Sequence, residues 1–395
     1  MLRAIFVTVS LYPAGAERHA VSVLNGLVAR GHECHVVHVK DENPSLIDLL
    51  RLGKKGTVRC LNATRYLDRR ALTDFAAHIA RVGPSVIVAA NPYSLMYSWL
   101  ALRISRRRVP LVVTYHSNRL LGAKEQVQMC LYRWFFWAAD CAVFVCKKQR
   151  RRWLRRAVFS RRNEVIYNGV DTDAFCEQSN PVERARLRSA LHFSEDDYVI
   201  GISARLRPEK NHVQLVEAVA MLRNAGIPAR VLMIGDGDLR EVIESRAREL
   251  EVEDDVVITG FQQDVRPYIA VCDVMVLCSH TEAFSLAAIE AMAMCKPVVH
   301  SDVGGAAEMI RPGEDGFLFP VGDTSALVDK LAILADRVVS TRMGRAARAA
   351  VELRFSETKM LDRYERLLLD LGRNRFGAEG SSELLRADRG NTGAS

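Results

Sequence analysis

The stretch Val274–Cys295, VMVLCSHTEAFSLAAIEAMAMC, joins a run of strand character to a run of helix character and sets two glutamates eight positions apart around the junction. Val274–Cys278 is apolar throughout, the pattern of a strand covered on both faces of a parallel sheet, and Ser285–Cys295 reads as the helix that follows it. Glu282 lies in the loop between them. In such sheets ligands bind beyond the carboxyl ends of the strands, where a helix N-terminus offers unpaired N–H groups and positive dipole to an anion. The spacing therefore predicts a phosphate seat near Ser285. Past Ser285 the helix is apolar all round except for Glu290, and a carboxylate in buried surroundings is costly unless donors meet it. A ribose diol supplies two donors; a solvated, outward Glu290 is the plainer alternative.

A second cluster lies upstream in Tyr198–Asn211, YVIGISARLRPEKN. Tyr198–Ser203 reads as a strand, Pro208 forces a turn, and Asn211 is placed to N-cap a helix. Arg205 and Lys210 then share one strand-to-helix loop, where two fixed cations can neutralise the charge that develops on a departing diphosphate. Taken alone, an Arg and a Lys in a loop are more often solvated charges.

Working outward, apolar runs at Ala4–Val9, His35–Val39, Val86–Ala90, Leu111–Tyr115, Cys141–Cys146 and Val165–Tyr167 alternate with helical stretches, and a second series follows at Tyr198–Ser203, Arg230–Ile234, Val256–Thr259, Val274–Cys278 and Val298–Ser301. Alternation of this kind predicts α/β architecture with two doubly wound parallel sheets. A polar segment, Asp171–Glu183, divides the series, giving a first domain over 1–170 and a second over 171–355. Residues 373–395, polar and rich in Gly and Ser, are expected to lack fixed structure.

At 395 residues, with 49% hydrophobic and 26% charged, the chain has material for two buried cores. Nine cysteines, without a C-x-x-C pair, point to buried thiols in a reducing compartment rather than to disulfides or zinc. The opening MLRAIFVTVSLYPAGA fits a first strand and glycine loop better than a signal peptide, and no apolar run approaches the roughly 20 residues of a spanning helix. Charge is divided along the chain. Residues 1–170 hold 28 Lys and Arg against 10 Asp and Glu, net +18, and the remainder 27 against 37, net −10, leaving +8 in all. Nine cations crowd into Lys147–Arg162, KKQRRRWLRRAVFSRR, without an acid, next to the aromatic LYRWFFWA of Leu131–Ala138. Such runs are usually solvated faces, yet cations beside aromatics also compose surfaces that meet anionic lipid or nucleic acid. As a helix, the basic segment would carry Trp153, Leu154, Ala157 and Val158 on one apolar stripe.

At these residues the chain resembles the retaining nucleotide-sugar glycosyltransferases of family 4, whose GT-B architecture has two Rossmann-like domains facing a cleft. The matches are Ala14-Gly15-Ala16-Glu17-Arg18 after the first strand, Asn168-Gly169-Val170-Asp171 with Phe175, Ser203–Asn211, the Glu282-x7-Glu290 motif and Ser301–Glu308, SDVGGAAE. The resemblance implies that Arg205 and Lys210 bind the donor diphosphate, that Glu290 binds ribose, and that Gly15, Gly235, Phe284, Ser285 and Leu286 line the donor site. It further implies that Glu282 contacts the donor sugar and that His116, closing VVTYH, stands at the reaction centre. By resemblance alone, the last helix over 356–372 packs back on the first domain. Ala14, Ala283 and Cys295 depart from the family's glycines, and each change is expected to narrow the acceptor or sugar pocket.

The implied function is transfer of a hexose from a nucleoside diphosphate sugar, UDP favoured over GDP, to a lipid-linked or glycan acceptor in cell-envelope glycolipid or polysaccharide synthesis. No cofactor and no metal are expected, and the same-face mechanism makes the leaving diphosphate the base. The expected location is cytoplasmic, peripheral on the cytoplasmic face of the membrane, with Lys147–Arg162 on anionic lipid. Alternatives remain open. Asp236-Gly237-Asp238 after a strand suits a metal-dependent glycosyltransferase; Gly235-Asp236-Gly237 is a weak dinucleotide fingerprint lacking its third Gly; a phosphorylase of the same architecture would need pyridoxal. From another class, the basic patch alone suits a non-enzymatic RNA-binding protein; no nucleic-acid partner is expected.

Overall fold

The apolar runs become the strands of two all-parallel sheets in the computed structural model, which describes residues 1–12, 15–41, 46–118, 122–176 and 180–387, with side chains as far as 373. The first unit comprises Met1–Val145, Gln149–Ile166 and the chain from Leu361 onward; the second comprises Cys146–Lys148 and Tyr167–Met360.

In the first unit the strands are β1 (Arg3–Thr8), β2 (Glu33–His38), β3 (Val58–Cys60), β4 (Val86–Ala89), β5 (Leu111–Tyr115), β6 (Cys141–Phe144) and β7 (Arg162–Val165). They lie in the order β3-β2-β1-β4-β5-β6-β7. Between them run α1 (Gly15–Ala29), α2 (Arg69–Val82), α3 (Pro92–Ser105), α4 (Ala123–Ala138) and α5 (Lys147–Leu154). Helix starts are written in the sequence. Asp68 accepts from the amides of Arg70 and Ala71 to open α2, and Asn91 with Ser94 forms a reciprocal capping box ahead of α3. Phe75, Tyr97, Phe136, Phe144 and Trp153 are fully buried in the core between this sheet and its helices.

The second unit runs α6 (Pro181–Ala190), β8 (Tyr198–Ser203), α7 (His212–Asn224), β9 (Ala229–Ile234), α8 (Arg240–Glu249), β10 (Val256–Ile258), α9 (Arg266–Val271) and β11 (Val274–Leu277). It continues through α10 (Leu286–Ala293), β12 (Val298–Ser301), α11 (Ala306–Met309), β13 (Gly316–Phe319) and α12 (Thr324–Leu334) to α13 (Arg337–Arg354); the last helix, α14 (Glu357–Ala387), starts in this unit and from Leu361 belongs to the first. Its sheet order is β10-β9-β8-β11-β12-β13. Strand order therefore reverses between β1 and β4 in one sheet and between β8 and β11 in the other, the switch points at which open α/β sheets take ligands. These are the two Rossmann-like parallel-sheet domains of the expected fold class.

Some boundaries differ from the sequence expectation. β7 is Arg162–Val165 rather than Val165–Tyr167, and β3 and β13 carry no periodic signal. All three are edge strands, paired on one side only, so they are not obliged to be apolar on both faces. The basic helix stops at Leu154; Ala157 turns left-handed at φ 57°, and Trp153 and Val158 are fully buried. No apolar stripe over 153–158 faces outward. The tail expected to lack structure from 373 is helical in its backbone as far as Ala387, where Glu, Leu and Arg outweigh the scattered Gly and Ser. All nine cysteines are free thiols, and among the described residues no helix is long and apolar enough to cross a membrane.

Candidate active site

In the second unit the loops after β8 and β11 flank the switch point, and between them they carry the cations and the carboxylate picked out by spacing. Arg205 is exposed and, among the described residues, makes no hydrogen bond or ion pair. Lys210 ends a single 3₁₀ turn, Pro208–Lys210, and its ammonium pairs with Glu282 Oε1 from the opposite loop. Ser279 Oγ donates to the same carboxylate oxygen at 3.0 Å. With side chains only 26% and 14% exposed, the Lys210–Glu282 pair is less screened than a surface pair.

Asn211 bounds α7 without capping it. Its backbone is left-handed at φ 53°, which turns the side chain away from the helix amides, and Nδ2 donates instead to Gln214 Oε1 at 2.9 Å. Ser285 does cap α10, accepting from the Ala288 amide at 3.3 Å, so the donors of the helix's first turn point toward the loop that carries Glu282. Leu286 opens that helix, and Glu290 is half-buried farther along it and engaged within the protein.

Two glycines set these loops by close approach. A Cβ on Gly304, whose φ is +53°, would stand 2.0 Å from the Glu282 carbonyl, and Gly305 N–H donates to the Ala283 carbonyl at 2.8 Å. On the other side a Cβ on Gly235 would stand 2.1 Å from the Ala204 carbonyl, so the β9 loop lies directly against the start of the Arg205 loop. Phe284 is buried against Tyr167 and Phe355, each with ring centroids 5.2 Å from its own, and its carbonyl accepts from Asn168 Nδ2 at 3.0 Å. Its ring is consumed in packing, and it serves to hold the Glu282 loop. Tyr167 and Phe355 have no sequence signal of their own, since nothing in a single chain pairs them with Phe284, and Ser279, three positions before Glu282 in the same loop, is a serine like any other until the turn brings the two together. Asp236 Oδ1 accepts from the adjacent Gly237 amide at 2.8 Å, and among the described residues no group of three His, Cys, Asp or Glu could hold a metal ion.

In the first unit Gly15 opens α1 with no atom within 4 Å of where a Cβ would stand. Ala14 lies outside the described residues. His116 follows β5; its Nε2 is buried without a hydrogen-bond partner, and burial pushes its pKa down to about 4, so the ring is neutral at neutral pH. It packs edge-on to His19 of α1 at 4.6 Å between centroids, and His19 Nε2 lies 2.9 Å from the Tyr364 hydroxyl. Burial, and then the neighbouring His116, also lower the His19 pKa. The family resemblance singles out His116 but not His19 and Tyr364, which are 345 positions apart. The one available signal is that His19 falls on the buried face of α1.

Comparison with known proteins extends this geometry. Residues 13–174 match the model of Glycosyltransferase Family 4, and residues 183–350 that of Glycosyl transferases group 1. The N-acetyl-alpha-D-glucosaminyl L-malate synthase of Bacillus anthracis is 27% identical over 288 residues, 72% of this chain and 74% of that protein. The UDP-Gal:alpha-D-GlcNAc-diphosphoundecaprenol alpha-1,3-galactosyltransferase of Escherichia coli is 26% identical over 321 residues, 79% and 82% of the two chains. Among solved structures, Anabaena HepE in complex with UDP-glucose superposes with a TM-score of 0.81 at 22% identity, covering 94% of this chain and 100% of that one, and so shares the fold.

Proposed function

The chain belongs to the family 4, group 1 glycosyltransferases, and from that premise we propose that it transfers a hexose from a UDP-sugar to an acceptor hydroxyl with retention of anomeric configuration. The observation that carries the proposal is the pairing of Lys210 with Glu282 across the switch point, beside the partnerless Arg205 and the N-terminus of α10. A diphosphate seated there would meet two cations and a helix dipole. The donor sugar would then lie against Glu282, and Glu290 would take the ribose hydroxyls. As the bond to the sugar breaks, Arg205 and Lys210 neutralise the growing negative charge, and the departing phosphate oxygen takes the proton of the acceptor hydroxyl attacking from the same face. In the first unit His116, with a buried, unpartnered Nε2, is suited to a hydrogen bond with a sugar hydroxyl, the role the family resemblance implies for it. UDP as nucleotide draws support from the UDP-glucose in HepE, and a lipid-linked acceptor from the name of the Escherichia coli relative; a place in envelope glycan synthesis on the cytoplasmic side is part of the proposal.

The test is nucleotide release from a panel of UDP- and GDP-sugars. Arg205→Ala and Lys210→Ala should each lower turnover by about 10²- to 10³-fold, the range for removing a preorganised charge stabiliser. Glu290→Ala should raise the KM for the donor. Fixed cations and a helix terminus supply the positive charge, so turnover should persist in EDTA, and NMR of the product should show the donor's anomeric configuration. Near-normal turnover in both cation variants, or an inverted product, removes the proposal.

A further inference from the structure

α4 departs from the usual division of an amphipathic helix. Its inward face, Met129, Tyr132 and Phe136, packs into the first core, as a helix on a sheet must. Part of its outward face is also apolar: beyond the exposed Lys124, Glu125 and Gln126 of the first turn, Val127 is 72% exposed, Trp134 67%, and Leu131 and Trp137 are exposed with them. These four recur at helical spacing, so they form one stripe along the helix. The stripe continues into the next connection. Trp134 and Trp137 rings lie 5.1 Å apart, Trp137 and the exposed Phe159 5.9 Å apart, and Trp137 Nε1 donates to the Ala157 carbonyl at 2.9 Å. Tied in this way to the 155–160 turn, the aromatic row stands next to the exposed Arg155 and Arg156. From Ala123, where α4 begins, to Asn163 the sequence holds eleven cations and two acids, Glu125 in the first turn of α4 and Asp140, whose carboxylate already pairs with Arg161.

We propose that this surface of the first unit, the outward stripe of α4 with Phe159 and the adjoining arginines, docks on a bilayer of anionic lipid. The occupant follows from the chemistry. Tryptophan rings with a polar N–H favour the interface between headgroups and acyl chains, and arginines beside them meet lipid phosphates while their stems rest on apolar surface. A single-stranded nucleic acid also stacks on aromatics among cations. It has no use, however, for the aliphatic Val127 and Leu131, and no cation interrupts the stripe at its four outward positions. The docking element is accordingly α4 and not the basic segment by itself, whose Trp153 and Val158 are committed to the core. The proposal concerns binding alone and stands or falls apart from the donor and acceptor chemistry.

The experiment is sedimentation of the full chain with vesicles of phosphatidylcholine alone or mixed with phosphatidylglycerol, in low and high salt. Binding to the mixed vesicles is expected to exceed binding to neutral ones by at least about 10-fold and to weaken with salt, since exposed charges are screened over about 8 Å at physiological ionic strength. Each cation near an anionic surface raises partition about 5-fold, so Arg155→Ser with Arg156→Ser should lower it about 30-fold. Trp134→Ser with Trp137→Ser should lower binding to the mixed vesicles by at least about 10-fold and abolish quenching of tryptophan emission by brominated lipid. Circular dichroism establishes that the variants remain folded; if the tryptophan pair fails to fold, Val127→Ser with Leu131→Ser makes the same test. Undiminished binding in the folded variants overturns the proposal, as do equal binding to neutral vesicles, tighter binding to a single-stranded oligonucleotide, or a solution dimer of the chain that the tryptophan variant converts to monomer.

Discussion

Cys295 shows how a departure from a sequence pattern acquires its meaning from position. It takes the left-handed conformation at φ 57°, and it closes α10 with a pair of bonds, its own amide to the Met292 carbonyl at 3.1 Å and that of Lys296 to the Ala291 carbonyl at 3.0 Å. This is the helix-ending arrangement that favours glycine at the left-handed residue. At 1.5 Å per residue, Cys295 lies about 15 Å along the helix from the cap at Ser285, so the expectation that it narrows the sugar pocket is corrected: its side chain is at the wrong end. Cys295→Gly should relieve the backbone and raise stability by about 1 kcal/mol, seen as a higher urea midpoint, while the KM for the donor stays unchanged. A lower midpoint, or a shifted KM, would contradict this account.

The same distinction between legible and illegible holds among the elements. Leu111–Tyr115, Tyr198–Ser203 and Val298–Ser301 are legible in the sequence to the residue, because interior parallel strands are covered on both faces and are apolar along most of their length, with Thr114, His300 and Ser301 as buried exceptions. Edge strands such as Val58–Cys60 escape that rule and carry no such mark. In the site, Arg205, Lys210 and Glu282 are legible because a strand-to-helix loop has few places for charge. The contacts that fix them are not, since Glu282 meets Ser279 only through the turn of their shared loop and Gly304 only through the register of β11 and β12. Gly304 therefore tests the loop as an element. Gly304→Ala would drive a methyl to within 2.0 Å of the Glu282 carbonyl while holding a positive φ, so the β11 loop must move. A loss of about 1–3 kcal/mol in stability and at least about 10-fold in turnover is expected from the displaced carboxylate. Wild-type turnover in a folded Gly304→Ala protein would show that the loop does not depend on this approach.

For the molecule as a whole, buried histidines make stability depend on pH in one direction. Burial pushes His78, His116 and His212 each down to about 4, and both ring nitrogens of His78 are buried without a hydrogen-bond partner. A histidine whose folded pKa lies below its unfolded value of about 6.5 favours the folded state in its neutral form. Its contribution is complete above pH 6.5 and declines as pH falls toward 4, by about 1.4 kcal/mol per pH unit for each group. Carboxylates add to the loss lower down: the hydrogen bonds from His32 and then Arg30 hold Glu365 below the usual range, so that its contribution disappears only as it protonates. The urea midpoint should therefore fall steeply from pH 7.5 to pH 5. Self-repulsion of the basic first 170 residues would produce a similar trend, but salt would relieve it, whereas desolvation of a neutral ring is indifferent to salt. Midpoints measured with and without 0.5 M salt separate the two causes, and His78→Gln, which removes one titrating ring far from the site in sequence, should flatten the slope between pH 6.5 and 5. A midpoint that holds from pH 7.5 to 5, or a decline that salt abolishes, would mean that these rings are not what couples folding to protons.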